Sequence, residues 1–473
     1  MKNGQTGGVN MKIKRLHLRN FRCFDNLEID FNTGDSNHGG LTILVAKNGE
    51  GKTAILDAIN VAWGPFFKNI PNTKGASFSM DDALKTKDGT VADLPELEAI
   101  LENPPSFLIK FPNYKEFILK RKLIEQRKGF TTSSTTSTAT DDHWHLKNYA
   151  TYLLTNQNPH EAWPLFAYYG DERLFSTIKL DKAVEDVSLE DKPEYGYEEA
   201  INPKKGYYSE FCNWFAKLEF CLRDEKINRD EGAPKLDEDT YKKYQIFSML
   251  IKNAISQALE PTGWTNISYM NNTRNIVVCR ENHPEKIPIS RLSAGNRITI
   301  GMVGDLAYRC CRLNYKRNIE AAIETPGIVL IDEIELHLHP AWQQQILPTL
   351  QKIFPKIQFI VTTHSPQIVS SVPRECIRIL SEGKVYWPEI MTEGARAEQI
   401  LNDIFSTPAR ADSSESGVAN KLYKYKDMIR DGTWDSSEGK ALRKFLEERL
   451  STDPELISLE MDIHLKEYQR RHP

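Results

Sequence analysis

The stretch AKNGEGKT, residues 46–53, sets two glycines, a lysine and a threonine where a chain can grip phosphate. Gly49 and Gly51 permit tight backbone geometry, so that successive N–H groups point inward at phosphate oxygens. Lys52 suits the β/γ-phosphates, and the Thr53 hydroxyl suits a Mg²⁺ ion. Lys47, Asn48 and Glu50 complete the loop. The spacing follows G-x-x-x-x-G-K-[ST] except that Ala46 stands at the first position. A single methyl group is the smallest departure, and it falls farthest from the phosphates.

Three further groups supply what a nucleotide site would need. Asp332 and Glu333 end the apolar run IVLIDE, two adjacent carboxylates that are costly there without a cation or a protein partner. In a phosphate-loop fold such an Asp holds Mg²⁺ and such a Glu polarises the attacking water. In RLSAGNR, Ser293 is placed to cap a helix, and Ser293, Ala294, Gly295 and Asn296 at its start form an anion site, flanked by Arg291 and Arg297. His364 follows FIVTT and can hydrogen-bond a γ-phosphate or the attacking water.

These groups need rigid carriers. LTILVA (41–46) is a continuous apolar run of strand length, and Ile55, Leu56, Ile59 and Trp63 recur after it at helical spacing. GIVLIDE (327–333), IQFIVTTH (357–364) and PLFAYYGDERL (164–174) read as further buried strands, and LSAGNRITIGMVGDLAYRCC as a helix. Strands alternating with helices predict an α/β fold with a mainly parallel central sheet, whose ligands bind at the strands' carboxyl ends. MKIKRLHLRNFRCF and NLEIDF alternate as strands of an antiparallel β subdomain, and residues 107–124 read as a hairpin around Pro112–Asn113. The polar tract 131–142 reads as a mobile loop, and 181–262 as a helical insertion. The expected order is a leader or alternative start at 1–10, one half of a head at 11–180, the insertion, the other half at 263–395, and a helical tail at 396–473 that offers a docking surface.

Composition narrows the class. Of 473 residues 40% are hydrophobic, as in globular chains, and the net charge of -4 confines any DNA contact to a local patch. Lys110, Lys115, Lys120, Arg121, Lys122, Arg127 and Lys128 form one such concentration. Seven scattered cysteines without a C-x-x-C pair read as reduced thiols of a cytoplasmic protein. No apolar run reaches membrane-spanning length, so no membrane partner is expected.

The order AKNGEGKT, LSAGN, LIDE, ELHLHP, TTHSP resembles the head of an ABC-type ATPase, most closely the branch of RecF, structural-maintenance-of-chromosomes and overcoming-lysogenization-defect proteins. LHLRNFRCF and IDEIELHLHP…TTHSPQIV are typical of that branch, and the resemblance covers most of residues 11 to 400. It implies ATP and Mg²⁺ as cofactors, with Thr53 and Asp332 at the metal and Glu333 and His364 as catalytic residues. It also implies that Ser293 to Asn296 act on ATP held by a second copy, in a homodimer or higher oligomer. Glu335 to His339 would lie across that interface as the D-loop, and Asn20 and Arg22 match positions that approach the nucleotide. LSAGN departs from the commoner LSGGQ. No clear Q-loop glutamine is present; YYGDER (168–173) occupies that place, and Gln126 is unassigned.

An ABC head alone is a clamp, and its output must come from something attached. No D-x-D pattern of a nuclease follows His364; Asp237 and Asp239 precede Ser293 in a loop, DSSEGK (435–440) lacks surrounding strands, and the metal-capable DDHWH (141–145) follows a polar, disordered-looking tract. The length, the insertion, EGARAEQILNDIF and the helical tail resemble the ATPases of Septu-type anti-phage systems and their retron-associated relatives. That resemblance implies regulation of a separate HNH nuclease subunit. The alternatives are a RecF-like DNA-repair clamp, a transporter ATPase and a nucleotide-locked scaffold.

Overall fold

A computed structural model describes residues 11–31, 40–86, 88–91, 93–102, 116–126, 129–133, 142–156, 161–171, 189–190, 192–204, 208–280, 283–407 and 417–471. The strands are β1 (Lys12–Phe21), β2 (Phe24–Asp30), β3 (Leu41–Ala46), β4 (Glu96–Glu102), β5 (Glu116–Gln126), β6 (Gly129–Ser133), β7 (Leu165–Tyr169), β8 (Trp264–Met270), β9 (Asn275–Arg280), β10 (His283–Pro288), β11 (Gly327–Ile331), β12 (Ile357–Thr363), β13 (Ile377–Ser381) and β14 (Lys384–Tyr386). The helices are α1 (Lys52–Phe67), α2 (Asp142–Thr155), α3 (Tyr208–Asp230), α4 (Glu238–Leu259), α5 (Ala294–Leu313), α6 (Ala321–Glu324), α7 (Pro340–Ile353), α8 (Pro366–Val369), α9 (Ala397–Asp403), α10 (Val418–Arg430), α11 (Ser437–Leu450) and α12 (Pro454–Arg471).

The runs LTILVA, LFAYY, GIVLI and IQFIVTT are buried at every position, because both faces of their sheet are covered. They lie in a six-stranded sheet of order β14-β13-β3-β12-β11-β7. All its pairings are parallel except β13 with β14 at one edge. The register sets Ile331 beside both Val361 and Tyr169, and Thr363 beside Val45, so the four strands reach one edge together. That edge carries the phosphate loop after β3, Asp332 after β11 and His364 after β12.

A second sheet, antiparallel, has the order β2-β1-β4-β5-β6. It is tied to the first by a buried side chain: Gln358 on β12 accepts from the Ile13 N–H at 2.8 Å and donates to the Ile13 carbonyl at 2.9 Å. A third sheet, β10-β9-β8, has three strands. The chain divides into two compact units, Met1–Ile400 and Leu401–Pro473. In the first, α3 and α4 pack beside α5 and supply buried Phe211, Phe215, Phe247 and Ile251. In the second, α10, α11 and α12 share a core around Leu422, Tyr425, Leu446 and Ile463. Among the described residues no helix is long and apolar enough to cross a membrane.

Several expectations need correction. The described part of the 107–124 hairpin, Glu116 onward, pairs with β4 and β6, and residues 107–115 lie outside the described residues. The tract 131–142 is trimmed as a loop at both ends: Thr131–Ser133 lie in β6 and Asp142 opens α2, while 134–141 lie outside the described residues. Within the expected helical insertion, α3 runs to Asp230 and Asp237 caps α4. The leader, residues 1–10, lies outside the described residues.

Candidate nucleotide-binding site

The phosphate loop departs from β3 and feeds directly into α1, whose N-cap is Gly51 at φ 91°. A side chain there would be strained, and its Cβ would come within 2.4 Å of the Phe24 ring and 2.5 Å of the Cys23 sulfur. Gly49, at φ 87°, has open space where a Cβ would point. No side chain caps α1, whereas Ser293, His339 and Ser365 cap α5, α7 and α8. The first N–H groups of α1 and its positive dipole end are therefore left for an anion.

The Thr53 hydroxyl donates to Asp332 Oδ2 at 2.7 Å, so the two expected metal-binding oxygens converge. The Thr362 hydroxyl donates to the other Asp332 oxygen and accepts from the Glu333 N–H at 2.7 Å. Asp332 itself donates its N–H to the Tyr169 carbonyl at 2.8 Å. Glu333 sits at φ 46°, a left-handed turn that redirects the chain as it leaves β11. Lys52 is buried and donates to the carbonyls of Ala46 at 3.2 Å and Lys47 at 3.3 Å. Burial lowers its pKa against the opposing pull of Asp332, Glu333, Glu335 and Glu50. A convergent hydroxyl and carboxylate form a hard-oxygen pair that fits Mg²⁺.

His364 is anchored through its backbone, which donates to Glu335 Oε1 at 2.6 Å, while Glu335 Oε2 accepts from the Thr363 hydroxyl at 2.7 Å. Burial lowers the pKa of the imidazole, with Lys52 adding to the effect. Its neutral form is thereby favoured near pH 7. Ser293 caps α5 by accepting from the Asn296 N–H at 3.4 Å. Gly295 is small for a reason: a Cβ would lie 2.7 Å from the His337 carbonyl. The LSAGN segment therefore packs directly on the expected D-loop of its own chain. His339 caps α7, its Nδ1 accepting from the Ala341 N–H at 3.3 Å.

Asn20 and Arg22 both have left-handed backbone, at φ 50° and 51°, around the end of β1. Arg22 bridges Asp57 at 2.6 Å and Asp82 at 2.9 Å. Asp57 lies one turn after Thr53 on α1, so Arg22 is held against the helix that begins the phosphate site. Burial works against the Arg22 charge, and the two carboxylates outweigh it, raising its pKa. Asp57 also accepts from the Tyr168 hydroxyl at 2.9 Å. Lys47 and Asn48 are exposed on the loop, and Glu50 accepts from the Glu382 N–H at 3.0 Å.

Sequence reasoning passed over a buried network behind the site. Tyr169 donates to Asp305 Oδ2 at 2.7 Å, and Arg309 Nε donates to the same oxygen at 2.8 Å. Arg309 is 2% exposed and also donates to the carbonyls of Gly196 and Glu198. Burial opposes its charge, and Asp305 and Tyr169 together more than offset it, so the guanidinium is held ionised. The signal in the sequence is the pair of polar-tipped aromatics ending an apolar strand. In the place of a Q-loop, the structure describes 168–171 and leaves 172–180 outside; Gln126 ends β5.

The basic concentration is largely accounted for where it is described. Lys120 pairs with Glu98 at 2.9 Å, Lys122 pairs with Glu96, and Arg121 is 4% exposed, its pKa pushed down to about 10 by burial. Lys110, Lys115, Arg127 and Lys128 lie outside the described residues.

The chain is 25% identical to the retron Ec83 probable ATPase of Escherichia coli, over 97% of this chain and 88% of that protein. It is 29% identical to the Septu protein PtuA of Bacillus thuringiensis over 29% of this chain and 36% of that one. Among solved structures, an SmcHead bound to the C-winged helix domain of ScpA aligns with a TM-score of 0.47 at 15% identity, covering 80% of this chain and 98% of that one. A family model described as AAA ATPase domain matches residues 11–369, and the chain belongs to that family.

Proposed function

We propose that this chain is the ATP-binding and ATP-hydrolysing subunit of an anti-phage defence complex in the cytoplasm. ATP-dependent engagement of two heads would control a separate HNH nuclease subunit. The observation that carries the ATPase reading is the convergence of Thr53 and Asp332 at 2.7 Å beside an uncapped helix N-terminus. The similarity to retron and Septu ATPases supports the defence setting.

The loop N–H groups and Lys52 bind the phosphates, and Thr53 and Asp332 hold Mg²⁺. The ion, when bound, neutralises charge on the β/γ-phosphates. Glu333 accepts a proton from the attacking water, and Thr362 holds its backbone turn at the end of β11. His364 donates a hydrogen bond to the γ-phosphate. Ser293 to Asn296 of a second copy close the site from the opposite side, aligned by the contact of Gly295 with the D-loop.

Glu333→Gln tests this reading. ATP turnover should be lost while ATP binding persists, and size measurement should find an ATP-trapped dimer. Unchanged turnover and unchanged assembly overturn the catalytic assignment. For the nuclease arm, co-expression with an adjacent HNH reading frame should give nucleotide-sensitive cleavage; an adjacent permease in place of a nuclease overturns it.

A further inference from the structure

Glu335 and Gln343 grip the His364 segment from two sides. Glu335 Oε1 accepts from the His364 N–H at 2.6 Å, and Oε2 accepts from the Thr363 hydroxyl at 2.7 Å. The Thr363 oxygen in turn accepts from the Ser365 N–H at 3.0 Å. The Ser365 oxygen accepts from the N–H groups of Gln367 and Ile368, which leaves its single proton to donate. That proton faces Gln343 Oε1 at 2.6 Å, with Gln367 Oε1 a more distant competitor at 3.1 Å. Gln343 Nε2 donates to the Leu338 carbonyl at 2.9 Å, and the Leu338 N–H donates to the Glu335 carbonyl at 2.9 Å. The links close a ring that runs from Glu335 through Thr363, Ser365, Gln343 and Leu338 back to Glu335.

The ring is shielded from water. Thr363 and Ser365 are 0% and 6% exposed, and Glu335 and Gln343 are half-buried. Hydrogen bonds to a carboxylate are short and strong in such a place, and linked bonds reinforce one another. The run WQQQ sets three glutamines in succession on α7, yet only Gln343 is half-buried, while Gln344 and Gln345 are exposed. The Gln343 amide carries a donor and an acceptor, and the ring offers each its opposite, a carbonyl and a hydroxyl, so one orientation of the amide is set. A methionine would fill much the same space, and what the ring uses is the amide. The ring also reaches α5: the His337 carbonyl, inside the segment 335–338, lies 2.7 Å from where a Cβ on Gly295 would stand.

Resting on the proposed role of His364 at the γ-phosphate, we propose that Glu335 and Gln343 are positioning residues for His364. Through the ring, segments 335–338 and 363–365 move as one body, and the place of the imidazole is set by the segment that lies against the start of α5. Neither side chain touches nucleotide. Their effect is on the alignment of a reacting group, which is felt in turnover far more than in affinity.

The test is ATP turnover and, by calorimetry, ATP affinity of the full chain, in the wild-type and the His364→Ala backgrounds. Glu335→Ala should lower kcat about tenfold or more and Gln343→Met about threefold or more, with ATP affinity held within about twofold. Because the links act as a unit, E335A/Q343M should be worse than Glu335→Ala by no more than about twofold. Glu335→Gln should keep most of the turnover, since an amide still accepts from the His364 N–H and donates to the Thr363 oxygen. Q344A/Q345A, on the exposed side of the same helix, should match the wild type. In His364→Ala, neither Glu335→Ala nor Gln343→Met should lower turnover further by more than about twofold. Three results overturn the proposal: wild-type turnover in both Glu335→Ala and Gln343→Met, a Glu335→Gln variant as impaired as Glu335→Ala, or losses that persist in full in His364→Ala. Should Glu335→Ala unfold at the assay temperature, Gln343→Met, which preserves the packing, decides. His364→Ala with wild-type turnover overturns the His364 reading and the ring together. An impaired His364→Ala beside unimpaired ring variants refutes the ring alone.

Discussion

Tyr169→Phe should be costly to the fold although it removes a single oxygen. The Tyr169 hydroxyl and Arg309 Nε meet on one buried oxygen of Asp305, at 2.7 and 2.8 Å. The other carboxylate oxygen has no partner among the described residues. A hydrogen bond to a charged group contributes about 1.5–3 kcal/mol, and burial keeps bulk solvent from replacing this one, so the loss should fall in that range. Asp305→Ala should cost more, about 3–5 kcal/mol, because it strands a guanidinium that is 2% exposed. Against a typical total of about 5–15 kcal/mol, either change is large. Both remove the same Tyr169–Asp305 bond, so the double variant should fall short of the sum by about 1–3 kcal/mol. Urea unfolding monitored by near-ultraviolet circular dichroism measures all three. A functional consequence separates positioning from stability: at a temperature where Tyr169→Phe is fully folded, ATP affinity should hold while kcat falls. A Tyr169→Phe cost below about 0.5 kcal/mol, or strictly additive costs, would refute the reasoning.

Four other outcomes follow from the site. Gly295→Ala should reduce turnover about tenfold or more, equivalent to ~1.4 kcal/mol, with ATP affinity nearly unchanged, because its Cβ must displace the His337 carbonyl from 2.7 Å; comparison of kcat with ATP affinity checks this. Gly51→Ala should instead abolish ATP binding, measured by calorimetry, since the loop must leave φ 91° and clear Phe24 and Cys23. The His364 pKa is lowered from 6.5, so the imidazole stays neutral as pH falls to that value and protonates only below it; any stability this lends is full above pH 6.5 and lost as pH falls through the lower folded value. An acid limb of the ATPase profile that lies below 6.5 and vanishes in His364→Gln is therefore expected. Finally, K120Q/K122Q should leave the salt dependence of any DNA binding unchanged, because both cations already face Glu98 and Glu96.

What could be read in the sequence was local. AKNGEGKT joins a strand to a helix and LSAGN a turn to a helix within a few residues, and LIDE ends a strand, so their placement follows from spacing alone. Partners far apart in the chain could not be read that way. Lys122 looks free in sequence, and its counter-charge Glu96 appears only once β4 and β5 are set in register. The strand β4 does carry its own signal, since ELEAILE alternates buried and half-buried residues along its whole length. The need for glycine at 295 was likewise invisible, because the obstructing carbonyl belongs to His337, 42 positions later.

The deepest of these hidden relations joins the phosphate loop to the LSAGN helix. Neighbouring residues of a strand point to opposite faces of the sheet. At the end of β7, Tyr168 turns to one face and holds Asp57 on α1, the helix of the phosphate loop. Tyr169 turns to the other and holds Asp305 on α5, the helix that Ser293 caps. The Tyr169 backbone carbonyl meanwhile receives the N–H of Asp332. Two adjacent residues thus touch the phosphate-loop helix, the LSAGN helix and Asp332. A shift of Asp332 on nucleotide binding would pull on the Tyr169 carbonyl, and through its ring on α5. In the proposed two-head arrangement, the tyrosine pair would link a nucleotide at the loop before α1 to the posture of α5.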